Sequence, residues 1–113
     1  MVIKMNPGKL NKRITIQKYG TITTENNFDE EAWIDFKAVW ASVNNLWGKE
    51  FYAAKAVNAE NTVEFIIRYS KDLEVLNSKE YRIKWQGRKF DITFIDNIKY
   101  ENKWLKIKAI ERL

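Results

Sequence analysis

Seven carboxylates are the first residues that could do chemistry: Asp29, Glu30, Glu31, Asp35, Glu50, Asp91 and Asp96. General acid–base work needs two such groups to converge, and no spacing here requires it. Asp91 and Asp96 fall on one strand pattern at an odd separation, which puts them on opposite faces if no bulge intervenes. Gly48-Lys49 has two residues of a phosphate loop, but Glu50 and Phe51 follow and the rest of that pattern is absent. The chain has no His and no Cys, so disulfides, thiolate nucleophiles, the usual zinc sites and the commonest proton shuttle are all excluded. The expectation is a protein that is not an enzyme and carries neither metal nor cofactor.

The aromatic residues are the second candidates. Five Trp, five Tyr and six Phe sit among fifteen Lys, a composition that could stack on and neutralise a nucleic-acid strand. Their spacing offers another reading, because Phe65, Phe90 and Phe94 occur where alternation expects an inward face. A Trp turned outward exposes a large apolar surface that another chain usually covers. Trp33, Trp40, Trp47 and Trp104 are therefore candidates for subunit contacts.

The net charge of +5 is uneven: residues 81–113 carry nine basic and four acidic side chains, whereas the middle of the chain is acidic. Such asymmetry suits either DNA or the complementary face of a neighbouring subunit. No apolar run approaches the roughly 18–20 residues that cross a bilayer, and Met1 to Pro7 has no leader-like apolar stretch, so cytoplasmic synthesis without a membrane is expected.

The elements that must position these residues are strands. With 113 residues the chain suits one core. Residues 1–12, with the turn signal Asn6-Pro-Gly8, read as a flexible N-terminal arm, and 13–113 as a single domain. Alternation marks strands at Arg13–Tyr19, Ala32–Leu46, Thr62–Tyr69, Tyr81–Trp85, Arg88–Phe94 and Trp104–Ala109. Gln86-Gly87 is a hairpin turn, and the polar Gly20–Glu31 reads as an exposed connection. The alanines from Gly48 to Asn58 favour a short helix, so residues 48–61 form an inserted helix or long loop between strands. The expected core is Ile14, Ile16, Val63, Phe65, Ile67, Phe90, Ile92, Phe94, Leu105 and Ile107. The fold class is all-β, a small antiparallel barrel or sandwich, with the barrel favoured because closure hides sheet edges.

Several segments in order then become informative together: Leu10 to Gln17, Val39-Trp-Ala-Ser-Val43, Gly48-Lys-Glu50, Phe65-Ile-Ile-Arg-Tyr69 and Tyr81 to Ile92. Their series resembles the bacteriophage head–tail joining, or head-closure, family from about Asn6 onward. The resemblance implies a β-barrel that forms a ring under the portal and adaptor, closes the DNA channel after packaging and presents a surface to tail proteins. It implies location in the neck of a phage or prophage virion. It also likens residues 48–61 to the family's long insertion, making Lys49, Phe51, Tyr52 and Lys55 candidates for a gate or channel segment, with non-specific contact to packaged DNA. Two alternatives stay open: a single-stranded nucleic-acid-binding barrel, and another small joining protein of neck or tail.

Overall fold

The computed structural model describes residues 9–45 and 61–112. Six strands follow one another: β1 (Lys12–Thr23), β2 (Asp29–Asn45), β3 (Thr62–Arg68), β4 (Tyr81–Trp85), β5 (Arg88–Asn97) and β6 (Trp104–Arg112). Every neighbouring pair is antiparallel, and the order β1-β2-β3-β6-β5-β4 closes on itself as a barrel. The all-β barrel expected from the alternation is the architecture found. Of the expected arm, residues 1–12, only 9–12 are described, with Lys12 in β1, and the expected helix or loop at 48–61 lies outside the described residues except for residue 61.

Each strand faces the axis with its apolar parity. Ile14 and Ile16 of β1, Ala41 of β2, and Val63, Phe65 and Ile67 of β3 meet Tyr81 and Ile83 of β4, Phe90 and Ile92 of β5, and Leu105, Ile107 and Ala109 of β6. Phe65 stands edge-on to Phe90 with ring centroids 5.3 Å apart, and Trp85 packs beside both. Burying one such side chain contributes roughly 1.5–3 kcal/mol, so this cluster dominates the stability of the barrel. Leu73, on a 3-10 turn at Lys71–Val75, is buried in the same cluster. Trp85 and Arg88 pair across the Gln86-Gly87 turn, whose residues both have positive φ, the backbone a two-residue hairpin demands.

Phe94 departs from expectation. It is 51% exposed because the β5–β6 register shifts between Ile92 and Phe94, and beyond that bulge Ile95 takes the inward position. The same bulge reverses the parity of Asp96, which pairs with Lys106 as Asp91 pairs with Ile110, so both carboxylates lie on the outer face. Residues 20–31 also differ from the exposed connection expected. They are mostly strand: β1 and β2 stay paired through Thr23 and Asp29, leaving a loop of five residues.

That pairing outruns the barrel. β1 is paired with β4 only from Thr15 to Lys18, and β2 with β3 only from Ala41 to Asn45. Residues 19–34 therefore extend past the barrel wall as a two-stranded ribbon.

Candidate assembly surfaces

The ribbon begins at a buried polar joint. Gln17 donates from its amide nitrogen to Asp35 at 2.8 Å and accepts from Arg82 Nε at 2.8 Å, while the Arg82 guanidinium lies 4.4 Å from the centroid of Trp33. Burial lowers the affinity of Arg82 for its proton, with the nearby Arg112 cation adding to the effect and Asp91 opposing it. Outward from this joint Tyr19 stacks at a tilt on Trp33 and donates to Glu31 at 2.6 Å, and Thr23 bonds Asp29 at 3.0 Å. The Glu31 carboxylate holds the Tyr19 phenol protonated above its ordinary pKa. One face of the ribbon is thus a ladder of satisfied polar groups.

The other face mixes apolar and charged side chains. Period-two alternation puts Ile22 opposite Glu30 and Lys18 opposite Ile34, on the parity that points inward within the barrel. Here no opposing wall exists, and Ile22 and Ile34 are 39% and 42% exposed. At the tip Asn27 has φ 60°, Thr24 N–H donates to the Phe28 carbonyl at 2.8 Å, and the Thr24 hydroxyl accepts from Phe28 N–H at 3.3 Å. This turn displays Phe28, which is 67% exposed.

A groove lies elsewhere, where β2 runs beyond the end of its ladder with β3. It encloses about 700 Å³ between Leu10, Arg13, Val39 and Trp40 on one side and Arg68 and Tyr69 on the other. The Arg13 guanidinium sits 5.1 Å from the centroid of Trp40, which is 54% exposed. Lys37 closes one end by bonding Asp72 at 2.7 Å and Ser70 at 3.1 Å. Those two donors, Lys37 first, hold the Asp72 carboxyl below its usual value. Tyr69 donates to Glu74, which raises its phenol.

The outer face of β5 and β6 is basic and partly paired. Arg88 bonds Glu111 in a forked contact that raises the guanidinium and lowers the carboxyl, and Arg112 reaches Asp91 at 3.1 Å. Lys108 lies 5.7 Å from the centroid of the displaced Phe94.

Of the candidate contact residues, Trp33 is half-buried at the ribbon's root, Trp40 is exposed in the groove, and Trp104 is half-buried under Arg68 with 5.7 Å from centroid to guanidinium. Trp47 lies outside the described residues, as do the gate candidates Lys49, Phe51, Tyr52 and Lys55. Structure brings together residues that spacing did not: Phe28, Ile22 and Ile34 on the ribbon, and Arg13 and Arg68 at the groove. The alternation Gly20-Thr-Ile-Thr23 was the available signal for the ribbon. Among the described residues no group of three or more acidic side chains is disposed to hold a metal, and no helix is long and apolar enough to cross a membrane.

A profile of phage head completion proteins matches residues 5–112. The chain belongs to that family. As a head completion protein it is a structural, phage head-associated protein, and the likeness to head-closure proteins seen in the segment series is thereby established. A protein of Shigella flexneri 2a, known from its solution structure, shares 34% identity over 95% of this chain and 96% of its own, with a TM-score of 0.67. A chain from the virion of a native gene transfer agent particle superposes with a TM-score of 0.55 at 17% identity, covering 90% of this head completion protein and 94% of the other; at that identity the shared property is the fold. No curated protein matches the sequence.

Proposed function

We propose that this head completion protein assembles as a ring on the portal vertex of a DNA-filled head, beneath portal and adaptor, where it closes the channel and offers the tail its docking surface. Family membership across residues 5–112 is the observation that carries this reading. A closed barrel supports it mechanically, because a sheet closed on itself keeps its shape under load while surface segments make the contacts. In this role the barrel is the spacer of the ring, and the candidate channel residues are those read from the sequence, Lys49, Phe51, Tyr52 and Lys55, which lie outside the described residues. Contact with DNA there is phosphate attraction, salt-sensitive and indifferent to sequence. A ring also multiplies weak contacts, since each docked copy raises the local concentration of the next, so a monomer in dilute solution suits this function.

The test is electron microscopy of DNA-filled, tailless heads of the cognate phage carrying portal and adaptor, with and without the purified chain. Ring density added at the vertex is the expected result. An empty vertex, together with tight and salt-sensitive binding to free single-stranded DNA, would replace this reading with a nucleic-acid-binding barrel.

A further inference from the structure

The ribbon and the groove are complementary in both charge and apolar surface. From Tyr19 to Asp35 the chain carries five carboxylates and no Lys or Arg, against twenty cations and ten carboxylates in the rest. On one face the ribbon adds the exposed Ile22 and Ile34 beside Glu30 and Lys18, with Phe28 exposed at its tip. The groove has the opposite rim and a matching floor: Arg13 and Arg68 border Leu10, Val39 and Trp40. A two-stranded ribbon has no second layer of its own to cover such a face.

The ribbon cannot fill the groove of its own chain. Phe28 directly precedes β2 and Trp40 lies on that strand, twelve residues on. At about 3.3 Å per residue the two are separated by roughly 40 Å of paired, extended backbone. A second copy has no such constraint. Because ribbon and groove are different patches of one chain, their pairing is head-to-tail, the type of contact that generates rings when its rotation closes.

We propose that the β1–β2 ribbon of one copy docks in the groove of the next, with Phe28 against Leu10, Val39 and Trp40 and with Glu25 and Glu30 facing Arg13 and Arg68. The proposal rests on the ring reading above and names the contact that closes the ring. Trp40 is then a subunit-contact residue, and Trp33, stacked between Tyr19 and Arg82, is the support that aims the ribbon.

The chain has no cysteine, so introduced thiols report without background. The test places Phe28→Cys and Trp40→Cys in one chain, adds that chain to the tailless heads, oxidises, and separates the products without reductant. A ladder of dimers, trimers and higher species ending at the ring is expected. Each single variant alone gives no ladder, and the two mixed give a dimer only. Charge reversal is the independent check where a cysteine variant folds poorly: Glu30→Lys lowers vertex occupancy about tenfold, and Arg68→Glu added to the same chain restores it. Vertices that carry a ring by microscopy while showing neither the ladder nor the rescue overturn the proposal and leave the ring intact. Absence of the native chain from the vertex removes the ring reading, and the proposal with it.

Discussion

β1 and β2 each have two fates within a single strand. From Lys12 to Lys18 β1 is barrel wall, bonded on both sides from Thr15 onward and burying Ile14 and Ile16 completely. Past Tyr19 the same strand keeps only its β2 partner, and Ile22, on the same parity, is exposed. Sequence does not change character at that point; the surroundings do. The alternation that supplies a core inside the barrel supplies a sticky, carboxylate-edged surface outside it. Apolar parity therefore marks a face to be covered, and only topology decides whether this chain or another one covers it.

The sharpest test of this division removes a large ring from each region. Phe65→Ala is expected to cost about 3–5 kcal/mol in denaturant unfolding, the usual loss for a fully buried aromatic. Phe94→Ala, outside the bulge, should cost less than about 1 kcal/mol, and a cost matching that of Phe65 would mean the bulge is not populated in solution. Next in size is the joint between the regions. Arg82→Ala deletes the bond to Gln17 and the stack on Trp33, with an expected loss of about 2 kcal/mol and faster amide exchange in residues 19–34. If exchange accelerates in the barrel strands and not in the ribbon, the joint belongs to the wall.

Titration separates the two further. The Asp72 and Glu111 carboxyls are held below their ordinary values of 3.8 and 4.5, so the stability they supply is present above those values and is lost as pH falls through the lower folded pKa. Tyr19 and Tyr69 are held above 10.0, so their contribution is complete below that value and is lost as pH rises through the folded pKa. Asp72→Asn and Glu111→Gln should flatten the acid limb of a stability profile, whereas Tyr19→Phe should flatten its alkaline limb and leave the acid limb unchanged. The smallest effect belongs to the ribbon tip: Phe28→Ala should change folding stability by no more than about 0.5 kcal/mol while reducing vertex occupancy. A large loss of stability would show that Phe28 is packed within its own chain.

Much of the barrel was legible because period-two alternation survives wherever a strand is paired on both sides, as at Thr62–Arg68 and Tyr81–Trp85. Two things were hidden. The β5 bulge inverts parity at Phe94 without leaving a Gly or Pro to announce it. The ribbon was hidden by its polarity: Thr24 to Glu31 has the composition of a loop, and it is held in register by the Thr23–Asp29 and Tyr19–Glu31 side-chain bonds across the pair. The outward Trp residues were visible as candidates, yet their distribution among joint, groove and β6 follows from barrel closure, which no local pattern encodes.

Closure has one more consequence. Among the described residues, strand beyond Tyr19 on β1 and from Asp29 to Trp40 on β2 is paired on one side only, the β2 stretch running from the ribbon back into the wall beside Arg13 to Gln17. Unpaired backbone of this kind is where sheets of separate molecules fuse into fibres. Here it runs beside Asp29, Glu30, Glu31 and Asp35, so two ribbons meeting edge to edge bring like charges together. The acids that suit the ribbon to a basic surface thus also act as gatekeepers, keeping copies of the chain from polymerising through the open edges of the ribbon.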